Sequence, residues 1–218
     1  MKFFIDTANL AQIKEINDLG ILNGVTTNPT LMAKEGITRK TAILQHYKTI
    51  CETVKGDTSA EVVATKYDDM IKEANELAAI HPNIVVKIPM IKDGVKAIYS
   101  LTKNGIRINV TLVFSAGQAI LAAKAGAYYV SPFIGRIDDS CWDGLSLVRQ
   151  IAEIYRVQNY PTQILAASIR SSNQIVDSAA AGAHACTSPL EHILGLLKNP
   201  LTDIGLKKFL DDAQGRTG

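Results

Sequence analysis

Short apolar runs rich in β-branched residues alternate along this chain with longer stretches of helical periodicity. Apolar residues recur on one helix face in the stretches between the runs, for example from Ile43 to Val54 and from Met70 to Ala78. This alternation is typical of βαβ units and therefore of a parallel sheet. Eight runs predict strands: Phe3–Asp6, Gly24–Thr27, Ala60–Ala64, Ile84–Pro89, Ile108–Val113, Tyr128–Pro132, Gln163–Ala167 and Ala183–Thr187.

Eight strands with helices between them favour a closed barrel. Gly20, Gly105, Gly126 and Gly182 each follow a helical stretch, where glycine suits the left-handed conformation that ends many helices. An open doubly wound sheet shares these local patterns, but the GxGxxG and GxxxxGK[ST] motifs of nucleotide-binding sheets are missing from the sequence. We therefore expect an α/β fold of the (β/α)8 TIM barrel type, in a single domain over residues 1–218. An additional C-terminal helix is predicted over about residues 201–213.

Composition narrows the class of protein. Of the 218 residues, 47% are hydrophobic, which suffices for one core, and 23 basic against 21 acidic residues give a net charge of +2. This balance provides no bulk attraction to nucleic acid or to an anionic membrane. No apolar run approaches the roughly 20 residues that span a bilayer, and the first residues lack the apolar core of a signal peptide. Three cysteines without CxxC spacing fit a reduced protein. We expect a cytoplasmic protein with no nucleic-acid or membrane partner.

Several catalytic classes lack their motifs in this sequence. The four histidines are scattered, with no HExxH and no pairing with cysteine at metal-ligand spacing. No serine lies in a GxSxG turn. The sequence therefore predicts neither a metal site nor a serine hydrolase.

Lys87 is the charged residue that fits its surroundings least. It follows Ile84-Val85-Val86 and precedes Ile88, and burial of an ammonium group among such residues carries a large desolvation cost. A desolvated lysine amine is a good nucleophile toward carbonyl groups, so one interpretation is a Schiff-base lysine. The alternative is a lysine at a strand end whose head group extends to water. This segment alone favours neither.

Further polar residues lie at the ends of other predicted strands. Asp6, Asn28, Thr111 and Ser168 close or follow apolar runs, and Glu61 opens the third. Each alone has an ordinary explanation, such as a helix cap. In a barrel, however, the carboxyl ends of all strands meet at one mouth, where together these groups would provide the proton transfer and hydroxyl binding that Schiff-base chemistry requires.

Two arginines predict the position of an anionic group. Arg170 follows the seventh strand where a helix should start, and barrels often bind phosphate there. Arg136 follows the sixth strand and precedes two aspartates. It is either a second phosphate ligand or the partner of Asp138 or Asp139 in a surface ion pair.

The segments around these residues resemble the transaldolase family, which also contains fructose-6-phosphate aldolases. The resemblance runs from Asp6 to about Leu197, and the short chain is similar to the small transaldolases. Five segments carry it: Gly24–Leu31 (GVTTNPTL), Val86–Met90 (VKIPM), Asn109–Ser115 (NVTLVFS), Ser131–Asp139 (SPFIGRIDD) and Ala166–Arg170 (AASIR).

The resemblance implies a (β/α)8 barrel that transfers a dihydroxyacetone unit between sugar phosphates without a cofactor. Sedoheptulose 7-phosphate and glyceraldehyde 3-phosphate would give erythrose 4-phosphate and fructose 6-phosphate, in the pentose phosphate pathway. Lys87 would form the Schiff base with the ketose. Asp6 would take the proton of the C4 hydroxyl, and Glu61 with Thr111 would hold a water molecule for proton transfer.

The resemblance also implies which residues bind the substrate. Arg136 and Arg170 would hold the phosphate, with Arg136 favoured by its motif position. The other predicted contacts, to substrate hydroxyls or to the bound enamine, are Thr26, Asn28, Asn109, Phe133 and Ser168.

Three residues separate the two branches of this family. The aldolases typically carry Gln, Leu and Tyr where this sequence has Glu61, Asn109 and Phe133, so it resembles the transaldolases at all three positions. A tyrosine hydroxyl near the catalytic water could help to protonate the enamine and release free dihydroxyacetone. Phe133 has no hydroxyl group, so the enamine should persist until an acceptor aldehyde arrives.

Other interpretations remain open at this stage. One is fructose-6-phosphate aldolase activity, and another is a non-catalytic barrel that binds sugar phosphates, with Lys87 paired to the phosphate or to a carboxylate. A deoxyribose-phosphate aldolase is a third, although the Thr-Thr-Asn-Pro segment argues against it. The resemblance further implies a ring-like homo-oligomer, a pentamer or a decamer.

Overall fold

The computed structural model describes residues 1–215; residues 216–218, the end of the predicted domain, lie outside the described residues. Eight parallel strands form a closed barrel in sequence order, which confirms the (β/α)8 prediction. The strands are β1 (Lys2–Asp6), β2 (Leu22–Thr26), β3 (Asp57–Glu61), β4 (Ile84–Pro89), β5 (Ile108–Val113), β6 (Tyr129–Pro132), β7 (Gln163–Ala166) and β8 (Ala185–Ser188).

Helices follow each strand and pack around the barrel. They are α1 (Leu10–Asp18), α2 (Pro29–Lys34), α3 (Lys40–Thr53), α4 (Tyr67–Ala78), α5 (Lys92–Lys103), α6 (Ala116–Lys124), α7 (Ile134–Asp138), α8 (Gly144–Gln158), α9 (Ser172–Ala180), α10 (Leu190–Gly195) and α11 (Pro200–Ala213). The predicted C-terminal helix is thus present as α11. The four glycines expected at helix ends all have positive φ angles, between 73° and 97°.

The third strand is the one whose predicted bounds differ most from the structure. The apolar run predicted a strand over Ala60–Ala64, but β3 spans Asp57–Glu61. Its first residues are polar, so hydrophobicity does not identify them; Asp57 and Ser59 are stable there because they are hydrogen-bonded to polar groups of other strands. Ser59, for example, accepts a hydrogen bond from Asn109 Nδ2. As a consequence Glu61 closes its strand at the carboxyl end, and the prediction that it opens a strand is wrong.

The middle of the barrel is filled by a small apolar layer. The inward-facing side chains of Phe4, Val85, Tyr129, Leu165 and Ala185 pack on one another and are fully buried. The absence of a side chain at position 24 makes room for this layer, because a Cβ there would come within 2.3 Å of the ring of Phe4. The barrel is therefore a packed core and not a pore.

The amino-terminal end of the barrel is closed by a polar cluster. Tyr129 donates its hydroxyl proton to Asp57 Oδ2 at 2.9 Å, and Arg107 pairs with the other oxygen of the same carboxylate. Lys2 Nζ donates to Gln163 Oε1 at 3.1 Å. These groups are paired with each other at this end, which leaves the carboxyl end of the barrel as the place for a reactive site.

The main core lies between the barrel and the surrounding helices, where the apolar faces predicted from periodicity are buried. Tyr47, Ile50 and Cys51 of α3 pack on the barrel, as do Met70 and Leu77 of α4. Among residues 1–215, no helix combines the length and the apolar character that crossing a bilayer requires.

Candidate active site

The carboxyl ends of the strands meet at one mouth of the barrel, and Lys87 lies at its base. Lys87 is on β4 and only 7% exposed. The strand register sets it beside Glu61 of β3 and Asn109 of β5, so the three side chains project from the same face of the sheet. Lys87 Nζ lies 3.0 Å from Glu61 Oε2. The ammonium group is therefore held inside the mouth and paired, and it does not extend to bulk water.

Two adjoining cavities open above Lys87, and together they contain every residue predicted for the site. An inner cavity of about 180 Å³ is lined by nine of these residues: Asp6, Thr26, Asn28, Lys87, Asn109, Phe133, Arg136, Ser168 and Arg170. A side cavity of about 360 Å³ shares Asn28, Lys87, Phe133 and Arg136 with it and adds Glu61 and Thr111. The structure brings all eleven side chains to one place.

A larger cavity lies behind this site, beside α3 and α4. It measures about 440 Å³, and its lining is mostly apolar. Glu61 borders it, but Lys87 does not. Because carbonyl chemistry requires the lysine, we assign the candidate site to the inner and side cavities.

Asp6 faces Lys87 from the end of β1. Its Oδ1 accepts a hydrogen bond from Thr26 Oγ1 at 2.7 Å. Burial raises the pKa of Asp6 above its ordinary value, and the positive charge of Lys87 and the hydrogen bond from Thr26 counteract this effect only in part. Asp6 is therefore a carboxylate that takes up a proton more readily than an exposed aspartate does.

Glu61 and Thr111 lie on the other side of Lys87. Glu61 Oε2 contacts the ammonium group as an ion pair. Glu61 Oε2 is buried and has Lys87 as its partner, whereas the buried Thr111 Oγ1 has no hydrogen-bond partner within the part of the chain that the structure describes. Buried polar atoms are usually hydrogen-bonded, so the Thr111 hydroxyl, with the Glu61 carboxylate on the same cavity, can bind a polar group of a substrate or a water molecule.

The side-chain amide of Asn109 is fixed from both ends. Ser131 Oγ donates to Asn109 Oδ1 at 2.8 Å, and Asn109 Nδ2 donates to Ser59 Oγ at 3.2 Å. All three side chains are buried. The second proton of Nδ2 therefore has a defined direction, and the amide is prepared to donate into the inner cavity.

Asn28 combines a structural role with a position in the site. Its Oδ1 caps α2 by accepting from the backbone N–H of Leu31 at 3.0 Å, and Pro29 occupies the first helical position. Because the oxygen accepts the cap hydrogen bond, the side chain is oriented so that its amide nitrogen is the group that can contact a ligand in the cavities, as a donor.

The two predicted arginines lie together at the outer part of the inner cavity. The guanidinium of Arg136, on α7, stacks over the ring of Phe133 at 5.0 Å from the ring centre. Arg170 pairs with Asp139 at 2.8 Å, and both side chains are more than half exposed. Asp138 instead accepts from the backbone N–H of Gly144 and from Gln174. The ion pair considered for Arg136 is therefore made by Arg170.

Gly135 brings these two arginines close to each other. Its backbone N–H donates to the carbonyl oxygen of Ser168 at 2.9 Å. A Cβ at position 135 would lie 2.0 Å from that oxygen and 2.6 Å from Arg170 Cγ. Ser168 itself adopts a left-handed conformation, with a φ of 60°. Such strain often marks functional sites, and here it occurs beside the basic end of the cavity.

Three polar side chains of the barrel mouth were not singled out by the sequence analysis. Ser59 and Ser131 hold Asn109, and Thr187 of β8 contacts Thr26. A signal for all three exists in the sequence, because each lies two residues from another inward-facing position of its strand: Ser59 from Glu61, Ser131 from Tyr129 and Thr187 from Ala185. Among residues 1–215, no group of His, Cys, Asp and Glu side chains is arranged to hold a metal ion.

Comparison with known proteins gives a consistent result over nearly the full length of the chain. The family model described as transaldolase/fructose-6-phosphate aldolase matches residues 3–216. A probable transaldolase of Bacteroides fragilis is 63% identical over 212 residues, which cover 97% of each chain. Probable transaldolases of Flavobacterium psychrophilum and Porphyromonas gingivalis are 61% and 59% identical over 97% of this chain, covering 97% and 96% of those proteins.

Proposed function

This chain belongs to the transaldolase/fructose-6-phosphate aldolase family, and we propose that it is a transaldolase that works through a Schiff base on Lys87. It would move a dihydroxyacetone unit from a ketose phosphate to an aldose phosphate, as in the conversion of sedoheptulose 7-phosphate and glyceraldehyde 3-phosphate to erythrose 4-phosphate and fructose 6-phosphate. The pentose phosphate pathway is where such a reaction is expected.

The observation that carries this proposal is the position of Lys87 between two carboxylates. Glu61 Oε2 lies 3.0 Å from the ammonium group, and Asp6 faces it across the inner cavity. Schiff-base chemistry needs a lysine that loses a proton before it attacks, and a second group that exchanges protons with the substrate. A lysine that only neutralised a phosphate would require neither arrangement.

Imine formation begins with attack of the Lys87 amine on the C2 carbonyl carbon of the ketose. The carbonyl oxygen must take up two protons and leave as water. Thr111 has a buried hydroxyl oxygen without a hydrogen-bond partner in the described chain, and Glu61 is paired with the attacking lysine, so the two side chains can hold the water molecule that carries these protons. The product is an iminium ion on C2.

Cleavage then breaks the bond between C3 and C4. Asp6 takes the proton of the C4 hydroxyl, C4 becomes the aldehyde carbon of the first product, and the bonding electrons move to the iminium nitrogen. The raised pKa of Asp6 supports this role, because it makes the carboxylate a stronger base than an ordinary aspartate. The three-carbon unit remains on Lys87 as an enamine.

In the transfer step the enamine carbon attacks the aldehyde carbon of the acceptor and Asp6 returns the proton to the new C4 oxygen, which leaves an iminium ion on C2. Water then adds to C2 and the Lys87 amine leaves, so that the new ketose phosphate is released. Phe133 supports transfer over release of dihydroxyacetone, because its ring lines both cavities without offering a hydroxyl that could help to protonate the enamine. The names of the relatives, probable transaldolases, agree with this assignment.

Phosphate binding would use Arg136 and Arg170. Both line the inner cavity, and bidentate guanidinium contacts suit a phosphate group. Arg136 is available for this contact as it stands, whereas Arg170 must share its guanidinium with Asp139 or leave that exposed ion pair.

Borohydride trapping tests the Schiff base directly. We expect incubation with fructose 6-phosphate and borohydride to add a reduced sugar adduct to Lys87, identified by peptide mass spectrometry. Lys87→Ala should abolish both the adduct and turnover. Lys92→Ala, which removes an exposed lysine at the start of α5, should retain both. Binding of fructose 6-phosphate with no adduct on Lys87 would instead support a non-catalytic sugar-phosphate-binding barrel.

Order of addition separates transaldolase from aldolase. With fructose 6-phosphate alone, we expect at most one equivalent of glyceraldehyde 3-phosphate per site, followed by rapid turnover once erythrose 4-phosphate is added. Steady release of both glyceraldehyde 3-phosphate and free dihydroxyacetone before the acceptor is present would identify a fructose-6-phosphate aldolase. Turnover of deoxyribose 5-phosphate would point to a third kind of Schiff-base enzyme.

A further inference from the structure

Two buried threonine hydroxyls connect Asp6 to the last strand of the barrel. Thr26 Oγ1 lies 2.7 Å from Asp6 Oδ1, and Thr187 Oγ1 lies 2.5 Å from Thr26 Oγ1. Thr26 is 2% exposed and Thr187 is 3% exposed. Thr187 also lines the inner cavity. The series Thr187, Thr26, Asp6 therefore crosses the site from β8 through β2 to β1.

The charge of Asp6 sets the direction of these hydrogen bonds. An ionised carboxylate only accepts hydrogen bonds, and a hydroxyl has one proton to donate. Thr26 must therefore donate to Asp6, so its oxygen can only accept from Thr187. Thr187 in turn donates its proton to Thr26. Each hydroxyl thus has one arrangement as long as Asp6 carries its charge.

We propose that Thr187 is a positioning residue that acts through Thr26 to keep Asp6 ionised and aimed into the inner cavity. This inference rests on the proposed function, in which Asp6 accepts the proton of the C4 hydroxyl. By occupying the lone pair of Thr26, Thr187 prevents that hydroxyl from rotating away from the carboxylate. Donation by Thr187 also polarises the Thr26 hydroxyl and strengthens its bond to Asp6.

The other charged groups around Asp6 do not depend on Thr187. Lys87, Arg136 and Arg170 face Asp6 from the remaining sides of the inner cavity, and Glu61 lies beyond Lys87, paired with it. A change at Thr187 that removes only the hydroxyl leaves all these charges in place. Its effect on Asp6 can therefore be assigned to the hydrogen-bond series.

The variant that tests this role is Thr187→Val, which keeps the shape of the side chain and removes the hydroxyl. Thr187→Ser restores a hydroxyl and serves as the rescue variant. Thr27→Val is the matched control: Thr27 is equally buried and adjacent to Thr26, but within the described chain its hydroxyl oxygen has no hydrogen-bond partner. If valine at position 187 does not fold, Thr187→Ala provides the same loss of the hydroxyl with less bulk.

We expect Thr187→Val to lower kcat roughly five- to tenfold near neutral pH, the size of effect of one lost hydrogen bond, with little change in KM. The acid limb of the kcat/KM profile should move to higher pH by roughly 0.7 to one unit, which corresponds to the same loss. Thr187→Ser should recover most of the activity and the wild-type limb. Thr27→Val should match the wild type in both measurements.

The titration of the Asp6 carboxylate can also be measured directly by NMR, without turnover. In protein labelled with ¹³C at aspartate carboxyls, the resonance of Asp6 is the one lost in Asp6→Asn. We expect its titration midpoint to be higher in Thr187→Val than in the wild type and to be unchanged in Thr27→Val. This measurement stays valid if wild-type protein forms no adduct with fructose 6-phosphate, in which case the proposed function fails separately.

Two results would overturn the positioning role. The first is an Asp6 midpoint and an acid limb that are unchanged in Thr187→Val. The second is a loss of activity that appears as a higher KM, or equally in Thr187→Ser, with an unchanged pH profile, because either pattern describes a substrate contact or a packing position.

Discussion

At the scale of single residues, Asp6 combines a function that needs its charge with a position that disfavours it. Burial raises its pKa, whereas Lys87 and Thr26 stabilise the carboxylate. The proposed cleavage step requires the ionised form, so activity should fall as Asp6 becomes protonated. We therefore expect the acid limb of kcat/KM to lie above the pH range in which an ordinary aspartate titrates, measured as a pH profile in transfer from fructose 6-phosphate to erythrose 4-phosphate.

Replacing Asp6 by asparagine should separate imine formation from cleavage. Asp6→Asn keeps the shape and removes the base, so we expect kcat to fall by roughly 10²- to 10⁴-fold. Borohydride should still trap an adduct on Lys87, now with the mass of the intact six-carbon sugar phosphate. Asp18→Asn, an exposed aspartate at the end of α1, should leave turnover unchanged. A three-carbon adduct in Asp6→Asn would mean that another group takes the C4 proton.

The same substitution should stabilise the fold. Because the pKa of Asp6 is higher in the folded than in the unfolded chain, the folded state binds the proton more tightly, and its stability decreases as the pH rises through the two values. At neutral pH the charged Asp6 therefore costs stability. We expect Asp6→Asn to raise the free energy of unfolding by about 1 kcal/mol at pH 7, with a smaller difference at low pH. Denaturant titration at both pH values measures this, and a loss at pH 7 would contradict it.

We expect the side chain at position 133 to decide whether the dihydroxyacetone unit is transferred to an acceptor or released. The ring of Phe133 lines the side cavity together with Glu61 and Thr111. In Phe133→Tyr a hydroxyl would enter the place where the catalytic water is expected, so protonation of the enamine should become faster. We expect release of free dihydroxyacetone from fructose 6-phosphate without acceptor to rise by at least roughly tenfold.

The matched control for this change is Phe114→Tyr. Phe114 packs edge-on against Phe133 with ring centres 5.7 Å apart, but it is 41% exposed and its hydroxyl would point to solvent. Phe114→Tyr should therefore leave the ratio of transfer to release unchanged. An unchanged ratio in Phe133→Tyr as well would mean that the ring at this position does not control the fate of the enamine.

Lys87 shows how far the sequence alone can lead at this scale. A lysine within an apolar strand has a desolvation cost that only a function would offset. This anomaly is visible in the sequence itself. Thr187 gives no such signal, because a threonine in a strand is ordinary and its role depends on Thr26 being 2.5 Å away. Contacts between side chains of distant strands arise only when the barrel closes.

At the scale of elements, β3 shows why predicted strand bounds were wrong while the fold was right. Its polar residues Asp57, Thr58 and Ser59 face groups of other strands or helices, so the usual link between strands and apolar runs fails there. The shift by three residues changes the meaning of Glu61, which moves from the start of a strand to the carboxyl end, where barrel enzymes carry their reactive groups. The other strands are more apolar, and their bounds agree within two residues.

Helix α7 and the turn after β7 must approach each other closely to place Arg136 and Arg170 together at the inner cavity. Gly135 lets the two approach closely, because a side chain there would meet Ser168 O at 2.0 Å and Arg170 Cγ at 2.6 Å. We expect Gly135→Ala to move the arginines apart and to raise KM for fructose 6-phosphate by roughly tenfold or more, the equivalent of losing one charge-assisted hydrogen bond to phosphate. Trapping of non-phosphorylated dihydroxyacetone on Lys87 should change much less.

Gly117→Ala is the control for this prediction. Gly117 lies in α6, where a Cβ would have open space around it except for Ser115 Oγ at 3.9 Å. Alanine in a helix is favoured over glycine by up to about 1 kcal/mol, so this variant should be slightly more stable and fully active. Equal losses for the phosphorylated and the non-phosphorylated substrate in Gly135→Ala would show that the whole mouth, and not the phosphate end, has been disturbed.

At the scale of the whole molecule, the two ends of the barrel have different tasks. The amino-terminal end is closed by paired polar groups around Asp57 and Tyr129, and an apolar layer separates it from the mouth. The mouth instead contains the buried hydroxyl oxygen of Thr111, which has no hydrogen-bond partner among the described residues, and the Lys87–Glu61 pair, which borders the two cavities. A closed polar cluster at one end and polar side chains around open cavities at the other are what a stable scaffold with one reactive face requires.

Helix α11 buries none of its side chains against the barrel of its own chain, as far as the described residues show. No side chain of this helix is buried, and its apolar residues are strongly exposed: Leu201 at 75%, Ile204 at 65%, Leu206 at 56%, Phe209 at 71% and Leu210 at 52%. Exposed apolar surface of this kind usually marks a protein–protein interface. The homo-oligomer implied by resemblance would provide its partner, in the form of other copies of the chain.

Light scattering after size-exclusion chromatography tests this expectation. The wild type should elute with a mass that is a multiple of the 23.6 kDa chain, five- or tenfold if the ring predicted from resemblance forms. Phe209→Glu places a charge in the apolar surface of α11 and should lower that mass, because burial of an unpaired carboxylate is costly. Lys208→Glu, at an exposed neighbouring position of the same helix, should keep the wild-type mass. A wild-type protein that elutes as a single chain would refute the assembly. Equal dissociation of Phe209→Glu and Lys208→Glu would show that the added negative charge on α11, and not the loss of apolar contact, causes the dissociation.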